Sequence, residues 1–374
     1  MIGCGCGLSH QTGHGHQLSR RHVLKAAAAG AAIAAASGGA KRAFAQAGVK
    51  AIDIHAHYFP QGYLDLFNSE GKSVGAEYRT APEGWYWKTG GLAQGPLPAK
   101  FIDLKQRVAE MDQQGVAVQA LSLTAPMIYW APAELSHKLA KAWNDGASAA
   151  HQEYPQRLVG LITLPMLAPD RAVDELERAA KLPGMRGVYL GTNIHDRDLD
   201  DPMFLPVYAK IEALGLPVFL HPLKTIGGDR MKPYYLSNLL GNPYDTGIAA
   251  CHLIFGGILD KFPKLEVSLP HSGGTLPILI GRIDHGWKVR KETKHLANAP
   301  SSYLRRFTYD TISHDPAIMK FVISQVGADR IMLGSDYCYD MGYERPVQFV
   351  ERLNLDQKDR DMIIGGTAAK LLKL

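Results

Sequence analysis

The sequence predicts a (β/α)8 barrel, eight parallel strands in a closed ring with loop insertions at its C-terminal face. Two observations carry that expectation. Short β-rich runs recur eight times after residue 45, at 49–55, 116–123, 158–164, 185–191, 217–221, 265–271, 307–311 and 331–336. Most are near-continuous apolar runs, as strands buried on both faces read. Stretches of helical periodicity lie between them, and strand–helix alternation repeated eight times closes as a barrel. A doubly wound open sheet is the alternative, but no Gly-x-Gly-x-x-Gly or phosphate-loop pattern opens any of these helices.

In chain order, residues 1–45 come first and read as an address. Ser19-Arg20-Arg21-His22-Val23-Leu24-Lys25 precedes an Ala-rich stretch at 26–36 and then Ala43-Phe44-Ala45, a small-x-small cleavage pattern. The arginine pair resembles a twin-arginine export signal. The apolar run is too short and too weakly apolar to span a bilayer. Cleavage after Ala45 leaves a mature chain starting at Gln46, delivered by the twin-arginine translocase to the periplasm or beyond, with no membrane anchor. Cys4, Cys6, His10, His14 and His16 leave with the leader. The remaining Cys251 and Cys338 do not make a disulfide framework, although one bridge between them stays open. The 374 residues carry a formal charge of +5, which Arg20, Arg21, Lys25, Lys41 and Arg42 account for. The body, 46–374, is therefore near neutral, with no charge footprint for nucleic acid.

The first strand closes with Asp53-Ile54-His55-Ala56-His57. A long segment, 58–100, follows it and carries the aromatic cluster Trp85-Tyr86-Trp87, either a cover for a planar substrate or a hydrophobic loop cap. Helical patterns are expected at 103–114, where Leu104, Val108 and Met111 form one stripe, and at 133–151, 170–181, 203–214 and 248–262. The fifth strand ends at His221 and is followed by a second long segment, 222–245, with Met231, Tyr234 and Tyr235. Both segments fall at the C-terminal mouth, where barrel active sites are built. The sixth strand ends at His271, the seventh precedes His314, and the eighth ends at Asp336.

Residues two apart on a strand share a face, so His55 and His57 can converge on one ion. His221, His271 and Asp336 project from the same rim of the expected barrel. Imidazoles and a carboxylate so placed suit Zn²⁺, Mn²⁺, Fe²⁺ or Co²⁺ with a position left open for water. His137, His151, His252, His285 and His295 fall on helical patterns and read as surface or packing residues.

Specific stretches add a family. IDIHAH, the His-Pro at 221–222, PHSGG at 270–274 and GSD at 334–336 resemble the amidohydrolase superfamily. EMDQQGVAVQALS, LPMLAPDRAVDELERA, GGILDKFPKLEV, GRIDHGW and GGTAAKLLKL extend the resemblance over nearly all of 50–374, toward the decarboxylase branch typified by 2-amino-3-carboxymuconate-6-semialdehyde decarboxylase. The resemblance implies a metal-dependent carboxy-lyase acting on a small unsaturated or aromatic carboxylic acid. It assigns one divalent ion, zinc with manganese as alternative, to His55, His57, His221 and Asp336. It makes His271 the acid/base beside the metal-bound water, a fifth ligand or a brace being the alternatives, and lets Asp336 share in proton transfer. It further implies a homodimer in which Arg282 and Arg290, 11 and 19 residues after His271, reach across the interface to grip a substrate carboxylate. Hydrolysis of a lactone, amide or related bond on the same site is the alternative reaction. Two departures from the branch point away from a dicarboxylated muconate semialdehyde. No arginine lies between Arg79 and Arg107, and Leu223-Lys224 replaces the usual Trp-Asp after His221-Pro222.

Overall fold

The computed structural model describes residues 49–374. The twin-arginine segment, the Ala45 cleavage point and the tract of Cys4, Cys6, His10, His14 and His16 lie outside the described residues.

The first barrel strand, β1 (Ile52–His57), is buried at every position. The 58–100 segment that follows is structured throughout much of its length. It forms the helix Gln61–Ser69 and a small antiparallel sheet of β2 (Glu77–Ala81), β3 (Gly84–Thr89) and β4 (Leu92–Leu97). Alternation along β3 turns Trp85 and Trp87 inward. Trp85 packs edge-on against Phe59 at 5.1 Å and donates its indole N–H to Pro98 O, so the aromatic cluster caps its own insertion.

The remaining barrel strands are β5 (Val118–Ser122), β6 (Leu158–Thr163), β7 (Met185–Gly191), β8 (Val218–His221), β9 (Val267–Leu269), β10 (Phe307–Asp310) and β11 (Ile331–Met332). Together with β1 they pair in parallel in the order β1-β5-β6-β7-β8-β9-β10-β11. The ring is completed by backbone beyond β11. Ile54 N donates to Leu333 O at 3.0 Å, Asp336 N to His55 O at 2.9 Å and His57 N to Tyr337 O at 2.6 Å. The fold is a (β/α)8 barrel.

The sixth and eighth strands are shorter than the sequence predicts, for one reason. Their last residues leave the ladder to aim side chains into the barrel mouth. His271 and Asp336 have φ of 52° and 58°, a left-handed backbone that non-glycine residues adopt rarely. Gly334 makes the second departure fit, because a Cβ there would stand 2.9 Å from Asp310 Cβ and 3.2 Å from His55 Cβ.

Four expected helices appear within about two residues of their limits, the usual uncertainty of helix ends, as Leu104–Gln114, Ala133–Glu153, Pro169–Ala179 and Leu205–Leu214. Asp103 caps the first by accepting from Gln106 N at 2.9 Å. The expected 248–262 helix is two helices, Asn242–Phe255 and Ile258–Lys261, interrupted at Gly256 and Gly257. Leu276–Val289 carries the helical pattern expected around His285, and Pro316–Val326 is a further helix that the periodicity did not predict. No helix among the described residues is long and apolar enough to cross a membrane.

Candidate metal centre

Four side chains meet at the mouth. His55 and His57 come from β1, His221 from the last position of β8, and Asp336 from the left-handed turn after β11. One ligand atom from each lies within 4.8 Å of all the others, and all four residues are buried. The three imidazole centroids stand 4.9 to 5.2 Å apart with nearly perpendicular planes.

Hydrogen bonds on the outer side of each ring set its tautomer. His55 Nδ1 faces Asp310 Oδ2 at 2.8 Å, and His221 Nδ1 faces Pro222 O at 2.8 Å. Both oxygens only accept, so each Nδ1 carries the proton. His57 Nδ1 lies 3.0 Å from Ser122 Oγ, whose hydroxyl is donated to Ala56 O at 3.0 Å. Ser122 therefore accepts from His57. With Nδ1 protonated, each ring keeps a lone pair on Nε2. His55 Nε2 is buried with no hydrogen-bond partner, and Asp336 Oδ1 stands 3.5 Å from it and 3.0 Å from His57 Nε2.

Burial pulls the His57 imidazole down to about 4 despite its Asp336 partner, so it is neutral at pH 7. Burial also holds His221 well below its ordinary value, reinforced by the facing His57 and His55. Burial pushes the Asp336 carboxyl up, but His57 and His55 outweigh it and keep Asp336 well below the usual carboxylate range. Burial pushes His55 down as well, but Asp310 and Asp336 outweigh it and raise its pKa above the ordinary value. The lone pairs of neutral His57 and His221 thus face an ionised oxygen in a dry site, which a cation among them relieves. Three imidazoles and one carboxylate, each ring braced from behind, fit a divalent transition metal with an open coordination position.

His271 follows Pro270 in a turn where Ser272 is also left-handed, at φ 56°. Its ring centroid lies 5.4 Å from that of His55 and 5.7 Å from that of His221. Burial, then the neighbouring His55, lowers its pKa, and Nδ1 has no hydrogen-bond partner. His271 and Asp336 form one wall of a cavity of about 240 Å³, with Asn238, Asn242 and His314 as polar neighbours and mainly apolar residues elsewhere. Among the described residues, no lysine or arginine lines that cavity. A larger cavity of about 1080 Å³, walled by Gln94, Phe101 and Tyr339, touches none of the four donor residues.

The sequence-predicted set therefore divides. His55, His57, His221, His271 and Asp336 come together. Arg282, exposed on the helix Leu276–Val289, and Arg290, exposed just past its end, sit elsewhere and line an apolar groove of about 440 Å³ against Asn242–Phe255. His252, His151 and His295 have structural partners in Asp200, Leu158 O and Phe255 O, as packing and surface residues do. Among the described residues, Cys251 and Cys338 are free thiols.

Sequence reasoning missed the residues that brace the site. Asp310, fully buried at the end of β10, accepts from His55 and from the backbone N–H of His271, Ser272 and Ile312. Asp53 accepts from Ser335 N at 3.0 Å and from Gln119 Nε2 at 2.9 Å, and Gln119 in turn accepts from the fully buried Arg107 at 2.7 Å. Arg107 also donates to His57 O. The signal for Asp310 was an acid ending a strand run, the same signal that identified Asp336.

The family model described as amidohydrolase matches residues 52–374. The 2-amino-3-carboxymuconate-6-semialdehyde decarboxylase of Dictyostelium discoideum is 32% identical over 86% of this chain and 91% of its own. The gamma-resorcylate decarboxylase of a Polaromonas species is 28% identical over 74% of this chain and 90% of its own. Among solved structures, 5-carboxyvanillate decarboxylase from Sphingomonas paucimobilis superposes with a TM-score of 0.76 at 27% identity, covering 87% of this chain and 99% of that one.

Proposed function

The chain belongs to the amidohydrolase family, and from that premise we propose that it is a metal-dependent carboxy-lyase removing CO₂ from a small unsaturated or aromatic carboxylic acid. The observation that carries the reading is the inward-facing Nε2 set of His55, His57 and His221 with Asp336, opening at Asp336 and His271 onto a mainly apolar cavity. Relatives that are named decarboxylases support the reaction class. A divalent ion held by those four residues, zinc or manganese, supplies concentrated positive charge that stabilises the anion developing as the carbon–carbon bond breaks.

The chain's own groups do the rest. Apolar walls contributed by Ile278, Ile312 and Met341 hold a planar ring and exclude water. The bonding pair stays on the ring carbon, which then takes one proton, so acid and product differ by CO₂ alone. His271, on the cavity wall with an uncommitted ring nitrogen, holds and delivers that proton, and Asp336 borders the same space.

Among the described residues no cationic side chain lines the cavity, and Arg282 lies on a helix that exposes Ile278, Leu279 and Val289. The proposal is therefore a homodimer in which Arg282, with Arg290, grips the substrate carboxylate of the neighbouring chain. Mixing Arg282→Ala with His271→Ala chains through unfolding and reassembly tests this. Each mixed dimer then has one intact site, so about a quarter of wild-type activity should return from two nearly inactive parents. Failure of the mixture to exceed its parents would place Arg282 outside the neighbour's site.

Export by the twin-arginine route to the periplasm belongs to the same proposal, supported by Arg20, Arg21 and Ala43-Phe44-Ala45. The deciding experiment uses exported protein, whose first residue should be Gln46. Its metal content is measured and CO₂ release is followed against a panel of aromatic and unsaturated acids. CO₂ from any of them supports the reading. Bound metal without CO₂ across the panel would turn the assignment toward lactone or amide hydrolysis.

A further inference from the structure

Asp310 stands at the end of β10, outside the donor set, and every lone-pair direction of its carboxylate is in use. Oδ2 accepts from His55 Nδ1 at 2.8 Å and from His271 N at 3.0 Å. Oδ1 accepts from Ser272 N at 2.8 Å and from Ile312 N at 3.0 Å. Two of these donors belong to consecutive left-handed residues, a conformation that persists only where surrounding bonds impose it. A third belongs to the ring of a proposed metal ligand.

The geometry points to Asp310 as the positioning residue of this site: one carboxylate fixes both the tautomer of His55 and the turn that aims His271, so metal affinity and proton transfer depend on a single group. The inference rests on the metal-dependent lyase reading above. Asp310 touches neither substrate nor ion and acts through the two histidines.

Asp310→Asn keeps the shape but replaces one acceptor oxygen by an NH₂ donor. If that NH₂ faces His55, the ring must move its proton to Nε2 and lose the inward lone pair. If it faces Ser272 and Ile312, the His271 turn loses its anchor. The metal-free proteins are compared by long-range ¹H–¹⁵N NMR of the histidine rings, and metal affinity is measured by chelator competition. In wild type, the His55 proton should sit on Nδ1. In the variant, Nε2–H should appear and affinity should fall about 10–100-fold, the range for lost outer partners. At saturating metal, kcat should fall with KM unchanged.

A variant with the wild-type tautomer, affinity and kcat would overturn the inference while leaving the metal centre intact. Wild-type protein that binds no divalent ion would overturn both. Should Asp310→Asn fail to fold, the wild-type spectrum decides: a His55 proton on Nε2 refutes the role, and one on Nδ1 supports it.

Discussion

His57→Ala should bind divalent metal at least about 100-fold more weakly than wild type and release no measurable CO₂. The lower bound follows because losing even an outer partner of a ligand weakens metal binding by about 10–100-fold. His57 is fully buried and contributes one of the three imidazole nitrogens of the cluster. Its removal leaves a void in a fully buried site and takes away a ligand of the stabilising ion, so the fold should suffer as well. Metal analysis and thermal melting check both parts. Wild type stripped by chelator should lose activity, melt at a lower temperature and recover on adding back the ion, because a ligand that binds only the folded state stabilises it. Stoichiometric metal in His57→Ala would remove this residue from the donor set.

The same pKa directions give the stripped protein a pH dependence of known sign. His57 falls from 6.5 to about 4 on folding, so the unfolded chain binds the extra proton between those values. Its contribution to stability is complete above 6.5 and is lost as the pH drops toward 4. His221 and His271 shift in the same direction, whereas His55 shifts upward and opposes them.

His271→Ala should keep the metal and lose turnover. The His271 ring is not one of the four clustered donors, so metal content should match wild type. Loss of a positioned acid/base group lowers kcat by about 10²–10⁴-fold, and KM should move little because the apolar cavity wall remains. Steady-state kinetics beside metal analysis separates the alternatives. Near-normal kcat would refute the acid/base role, and loss of metal would make His271 a fifth ligand.

The barrel and the side chains clustered at its mouth were legible in the sequence for a shared reason. Strands buried on both faces read as continuous apolar runs, and a polar residue ending such a run must face the mouth. His55, His57, His221, His271 and Asp336 all obey that rule. Asp310 obeys it too, yet a lone carboxylate gives no hint of four donors until distant segments are brought beside it. Around His285 only a helical pattern was legible, and not the limits of Leu276–Val289, because Ile278, Leu279 and Val289 are exposed and the apolar period does not report a core. The same holds for Ile318 and Phe321 on Pro316–Val326. The β2–β3–β4 sheet was hidden by its short strands, the last broken at Gly95-Pro96, whose pairing is with one another.

Gly334 sets where this protein can change over evolutionary time. A side chain there would stand 2.9 Å from Asp310 Cβ and 3.2 Å from His55 Cβ, so the floor of the candidate metal site tolerates little variation. The cavity walls follow a different regime. Asn238, Ile278, His314 and Met341 come from four separate segments, and none is braced by the Asp310 or Asp53 networks. New substrate preferences can therefore accumulate in the walls one substitution at a time, while the chemistry stays in a floor that mutation can break far more readily than retune.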